Sequence, residues 1–169
     1  MELQIINQKL KETRNELLEI LNGLNEVELS KQKDTSSWNI RQVCQHLSKT
    51  EELYAYAIRK GLKSEEGSSI DEKSFTFLTD RNNKIEAPDI AKPTNDYIAY
   101  DEIIEKLNHS RQKINEILLG IDDPSLLNRK SFVHPVFKEM LLIDWFRSLY
   151  LHEQRHIKQI QEILNGEDS

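Results

Sequence analysis

Hydrophobic residues recur along this chain at spacings of three and four, the signature of helices that each bury one stripe. The first such stretch runs from about Leu3 to Leu24, with Leu3, Ile6, Leu10, Leu17, Leu21 and Leu24 on one face. Gly23 weakens its end, and the polar run from Glu26 to Ser37 reads as a connection. A second helix is predicted over Trp38 to Lys60, capped by Ser36 or Ser37 and stopped at Gly61. Its apolar side carries Ile40, Val43, Leu47, Tyr54 and Ile58, and His46, Thr50, Leu53 and Ala57 continue that side round the helix.

The period is lost between Ser64 and about Tyr97. Pro88 and Pro93 forbid a continuous helix nearby, and Lys73 to Leu78 reads as a short strand or an irregular piece. A connection this long in a compact domain often covers or lines a site. The third helix is predicted over Tyr100 to Leu119, with Ile103, Leu107, Ile114 and Leu118 inward and Gly120 and Pro124 marking its end. A loop through Phe132 to Phe137 leads to a fourth helix over Lys138 to Leu164, whose stripe reads Leu142, Trp145, Leu149, His152, His156, Ile160 and Ile163. Four comparable amphipathic helices without a convincing sheet predict an all-α four-helix bundle, a single domain over residues 1–169.

Composition narrows the picture. Hydrophobic residues make up 37% and charged residues 31% of 169, with 5 Gly and 4 Pro, which suits long solvated helices better than a loop-rich β fold. The mean hydropathy of −0.65 is normal for such a bundle. The net charge of −6, with basic residues scattered, argues against nucleic acid as a partner. No apolar run approaches the ~18 residues that cross a bilayer, and Asp144 interrupts the greasiest stretch, Met140 to Phe146. The start, MELQIINQKL, carries neither an apolar nor a basic leader, and Cys44 is alone, so the expected setting is a reduced cytoplasm without disulfides. Cys44 itself is expected to be a buried, inert thiol.

The chemistry concentrates in histidine. His152 and His156 stand one turn apart at positions that the stripe reserves for core aliphatics. An i,i+4 pair lets two imidazoles converge on one ion, and burying both is costly unless they are hydrogen-bonded or metal-bound. His46, near the middle of the second helix, supplies a third ligand. Three neutral ligands leave a divalent ion its full charge and an open position, the pattern of catalytic metal sites.

The same residues spell H-E-x-x-H, the zinc-protease signature with Glu153 as general base. No histidine follows His156, Glu162 lies closer than the usual third-ligand glutamate, and the sheet beside such a motif helix is missing, so the protease reading is set aside. Glu153 is then a solvated helix residue or an acid–base group at the rim. His134, before Pro135, reads as a turn residue that can also approach the metal from the end of the bundle. His109 reads as solvated, and Trp38 and Trp145 as core or staple residues.

Three segments together resemble a known family. S-W-N-I-R-Q-V-C-Q-H-L (Ser37 to Leu47), D-R-N-N-K-I-E-A-P (Asp80 to Pro88), and H-P-V-F-K-E-M-L (His134 to Leu141) followed by H-E-Q-R-H-I-K-Q-I (His152 to Ile160) resemble the DinB-like, YfiT-like superfamily of proteins grouped as metal-dependent hydrolases. The resemblance spans essentially the whole chain. It implies helices in up-down-down-up order, with the long connection between the second and third crossing over. It also implies one divalent metal ion, zinc or nickel in many members, on His46, His152 and His156. One departure is Lys138, where many relatives carry Gly or a small residue.

Some members of the family transfer low-molecular-weight thiols, and others have no known substrate. The resemblance therefore implies either a metal-dependent hydrolase or thiol S-transferase acting on a small molecule, or a non-catalytic metal-binding stress-response protein. Glu153, His134, Glu51 and Tyr54 are the candidate proton-transfer or supporting groups, with Glu153 and His134 named as catalytic. Relatives also pair through helix faces, implying a homodimer. A bundle with satisfied buried histidines and no ion is the remaining alternative.

Overall fold

The structure, a computed structural model, describes residues 1–67 and 69–166. Four long helices carry it: α1 (Glu2–Asn22), α3 (Ile40–Leu62), α4 (Tyr100–Leu119) and α5 (Leu142–Asn165), with a one-turn helix, α2 (Glu26–Leu29), after α1. Side-chain pairs fix their directions. Glu2 pairs with Arg147 and Arg14 with Glu153, so α1 runs parallel to α5. Glu52 meets Lys113 and Arg59 meets Glu116, so α3 and α4 are parallel. Tyr54 lies beside Ser148 while His46 lies beside His152, which makes α3 antiparallel to α5. The order is up-down-down-up, and the long connection from α3 to α4 must cross over.

Local chemistry explains the boundaries. Asn39 caps α3 in a reciprocal capping box with Gln42, displacing the expected Ser36 and Ser37; Ser36 instead donates to Asp34 in a tight turn. The segment expected to be a plain connection contains α2, because Asn25 and Glu28 form another capping box and Leu29 buries its side chain. Gly61 does not stop α3. It lies in the last turn because a Cβ there would sit 2.4 Å from Cδ2 of Leu142, the first residue of α5.

The largest departure is a β-hairpin where a loop and the start of the last helix were expected. Strand β1 (Ser131–His134) pairs antiparallel with β2 (Lys138–Leu141), and α5 begins only at Leu142. Pro135, Val136 and Phe137 form a three-residue turn that ends with Lys138 at φ 64°, the left-handed conformation such loops require.

The core divides into two apolar layers. One gathers Leu10, Ile58, Ile114, Leu142 and Phe146, the other Leu21, Ile40, Leu107, Ile157 and Ile160. Full burial of each such side chain contributes about 1.5–3 kcal/mol. Between the layers each long helix inserts one charge: Arg14, Glu51, Arg111 and Glu153. Arg14 donates to Glu153 at 2.7 Å and to Glu51 at 3.0 Å, and Arg111 donates to Glu51 at 2.7 Å and to Glu153 at 2.8 Å.

The crossover is irregular, with 3₁₀ turns at Thr76–Thr79 and Asp89–Ala91 in place of a strand. α5 holds it down. Arg155 donates to the carbonyls of Leu78 and Asp80, both at 3.0 Å, and of Asn83 at 2.7 Å, and Lys158 reaches the carbonyl of Thr79 at 2.7 Å. No helix among the described residues is long and apolar enough to cross a membrane.

Candidate metal centre

His46 projects from α3, and His152 and His156 from successive turns of α5, where the two helices pack antiparallel. Their ligand nitrogens all lie within 4.8 Å of one another. His152 Nε2 is 3.0 Å from His46 Nε2 and 3.1 Å from His156 Nε2. Two imidazole nitrogens sharing a tetrahedral zinc ion stand about 3.3 Å apart.

Neighbouring groups decide which ring nitrogens are bare. His46 Nδ1 donates to the carbonyl of Ala91 at 2.8 Å, and His156 Nδ1 donates to Oε1 of Gln159 at 2.7 Å. Both oxygens only accept, so each Nδ1 carries the proton and each Nε2 presents a lone pair inward. Neutral His152 has a single ring proton. At least one of the two close nitrogen contacts therefore lacks a hydrogen, and added protons give no relief. Burial holds His46 below the ordinary imidazole range, and burial together with neighbouring histidines holds His152 and His156 well below it. A cation between the rings satisfies all three lone pairs, so this donor set fits a divalent metal.

The cluster opens into a cavity of about 620 Å³, within the usual range for small-molecule sites. Its walls are largely apolar and aromatic, including Trp38, Tyr54, Ile85, Phe132, Val136 and Trp145. Trp38 lies 4.9 Å from His46 and stacks 6.4 Å from His156 between ring centroids, so it faces the cavity, while Trp145 is a core residue, as expected, that also lines the cavity. The crossover forms one wall through Leu78 and residues 85–88 and 90–92, matching the expectation for so long a connection.

Glu153 requires correction. It is neither solvated nor at the rim, being only 2% exposed, and both its carboxylate oxygens accept from Arg14 and Arg111 in the charged layer. It cannot serve as a base for chemistry at the histidines. Glu51 is committed to the same arginines: burial alone would raise its pKa, but the two guanidiniums outweigh it and hold the carboxyl below its ordinary value. The sequence carried a signal for these four charges, since each follows a core leucine by four residues: Leu10, Leu47, Leu107 and Leu149.

His134 lines the cavity but is not one of the converging rings. Its Nδ1 accepts from the backbone N–H of Val136 at 3.0 Å and of Phe137 at 3.2 Å, which places its proton on Nε2, donating to Tyr54 Oη at 3.2 Å. Burial pushes its pKa down to about 4 and that of Tyr54 up to about 12. Cys44 is buried away from the cavity, its thiol pushed up to about 12 by burial, and His109 is exposed, as expected of both. Gln159 was missed; its position three residues after His156 is the signal that could have found it.

Comparison with known proteins agrees with this geometry. The chain is 29% identical to the uncharacterized protein YuaE of Bacillus subtilis over 161 residues, covering 95% of this chain and 96% of YuaE. It is 25% identical over 155 residues to a protein of Oceanobacillus iheyensis named as a candidate metal-dependent hydrolase, covering 90% of this chain and 79% of that one. Among solved structures, YfiT from Bacillus subtilis, described as a probable metal-dependent hydrolase with an unusual four-helix bundle topology, superposes with a TM-score of 0.66 at 19% identity over 96% of this chain and 86% of YfiT. TT2238, a four-helix bundle protein, gives 0.61 at 20% identity over 94% of this chain and 98% of TT2238. At these identities the two structures speak for the fold alone. The profile of the DinB superfamily matches residues 9–160, and the chain belongs to that superfamily.

Proposed function

We propose that this chain is a metal-dependent enzyme acting on a small molecule through one divalent ion, zinc or nickel, held by His46, His152 and His156. One observation carries the reading: three imidazole nitrogens converge beside a roomy apolar cavity with two lone pairs fixed inward by Ala91 and Gln159. When bound, such an ion supplies Lewis acidity, favouring ionisation of a water or thiol and polarising an acceptor oxygen. The protein's own groups do the rest. Trp38 backs two of the ligand rings, the aromatic walls exclude water from an apolar substrate, and neutral His134 orients Tyr54.

The reaction is hydrolysis or transfer of a low-molecular-weight thiol, in a cytoplasmic protein that pairs with a second copy. The name of the Oceanobacillus relative favours hydrolysis. Non-catalytic metal binding is the second reading, and the engagement of Glu153 by arginines favours it, because the usual base of H-E-x-x-H is spent.

Elemental analysis of protein purified without a histidine tag tests the shared premise. About one ion per chain is expected in wild type and loss of that ion in His152→Ala; metal-free wild type, or metal retained in the variant, overturns the site. Metal-dependent consumption of a thiol with monobromobimane then separates the readings. Equal rates for wild type and His156→Ala would exclude the transferase.

A further inference from the structure

Thr50 and Tyr54 follow His46 at successive turns of α3, so the three side chains form one stripe on the cavity wall. Thr50 is 8% exposed, yet its Oγ1 has no hydrogen-bond partner among the described residues. A buried hydroxyl left without a partner is rare and costly, and in an otherwise apolar wall it marks a place where something else completes the bond. Tyr54 points to the same conclusion by a different route. Its Oη accepts from His134 Nε2 at 3.2 Å and lies 3.3 Å from Ser148 Oγ, whose single proton is also directed at the carbonyl of Trp145 at 3.1 Å. The backbone donors on His134 Nδ1 dictate the direction of the first bond. With His134 donating and the Ser148 proton drawn to Trp145, the phenol's own proton has only a long contact to Ser148 Oγ, which an acceptor oxygen in the cavity can replace.

Building on the proposed metal-dependent function, we propose that Thr50 and Tyr54 form a hydrogen-bond-donor subsite for an acceptor oxygen of the substrate, one turn from His46, and that the substrate is an apolar or aromatic molecule bearing a carbonyl-type oxygen. Cations are poor candidates, since neither donor offers a charge to them. A strongly anionic group is also poorly matched, because the cavity's arginines are committed: Arg155 to backbone carbonyls and Arg81 to Glu162 at 3.2 Å. The subsite would place the acceptor oxygen along the same wall that carries the first metal-site histidine, orienting the substrate rather than reacting with it.

Binding of two probes of nearly equal shape tests this on the metal-loaded protein: acetophenone, which has the oxygen, and α-methylstyrene, which has a methylene in its place. Dissociation constants from ¹H–¹⁵N NMR titration are expected to favour acetophenone by about 3- to 10-fold in wild type. Thr50→Val should largely remove that preference without weakening α-methylstyrene, Thr50→Ser should keep it, and Tyr54→Phe should reduce it. Because Thr50→Val deletes an unpartnered hydroxyl, its melting temperature should equal or exceed that of wild type. The proposal is overturned if wild type binds both probes alike or neither, if Thr50→Val keeps the preference, or if Thr50→Val melts lower, which would mean that the hydroxyl is bonded within the fold. Elemental analysis of the same samples separates the two ideas. Full metal content without probe preference sinks the subsite alone, and preference without metal sinks only the metal-dependent reading.

Discussion

His134 illustrates how a single residue acquires its properties from neighbours. As a loop histidine it read as a turn or surface group; the hairpin buries it and two backbone N–H groups claim its Nδ1. Its pKa falls from 6.5 to about 4 because burial penalises the imidazolium. The unfolded chain therefore binds more protons between these values, so His134 adds stability that is full above pH 6.5 and lost as pH falls toward 4. In metal-stripped protein, the decline of melting temperature over that interval should be shallower for His134→Gln than for wild type. Parallel slopes would mean that the ring titrates normally in the folded protein. Glu51 acts in a lower window: its folded pKa lies below the ordinary carboxyl value, so its contribution is present above 4.5 and disappears as pH drops through the folded value.

At the scale of elements, the hairpin was the feature the hydrophobic pattern hid. Lys138 to Leu141 carries apolar Met140 and Leu141, which continue smoothly into the stripe of α5, so period alone extends the helix backwards. What stops it is backbone geometry at Lys138, whose φ of 64° is disfavoured for any residue with a Cβ. The resemblance had flagged this position, since many relatives have Gly or a small residue there, and the conformation supplies the reason. Lys138→Gly should stabilise the protein by about 0.5–1 kcal/mol, the relief of left-handed strain less the entropy that glycine adds to the unfolded chain. Urea denaturation would register this as a higher midpoint at unchanged slope. A lower midpoint would mean that the turn tolerates lysine without strain. Gly61 makes the complementary point, with the absent Cβ letting α3 approach Leu142.

Across the whole molecule, the charged layer of Arg14, Glu51, Arg111 and Glu153 ties all four long helices together at one level of the core. The two positive and two negative charges balance, and removing one partner leaves an uncompensated buried charge. Glu153→Gln should therefore cost about 3–5 kcal/mol, a large fraction of a typical domain's stability. Metal content per folded chain should be unaffected, because the side chain faces away from the histidines. A general base would behave in the opposite way, with activity lost at unchanged stability, so chemical denaturation combined with elemental analysis distinguishes the two roles.

Much of this protein was written in local pattern. Spacings of three and four placed four helices, with Tyr100 to Leu119 matching α4 residue for residue, and two histidines on an aliphatic stripe pointed to the histidine cluster before any fold was known. Those features depend on neighbours within one or two turns, which a sequence carries directly. The place of His46 near mid-helix on the second stripe suggested it as the third ligand, and the resemblance supplied the up-down-down-up order. Tertiary packing decided what remained. Glu153 and His156 are three residues apart on one helix, yet one turns toward two arginines from other helices and the other toward His46 and His152. Which charges pair, which carbonyl sets His46's tautomer and which hydroxyl is left without a partner all depend on atoms brought together from distant parts of the chain, and no periodicity along the sequence encodes those distances.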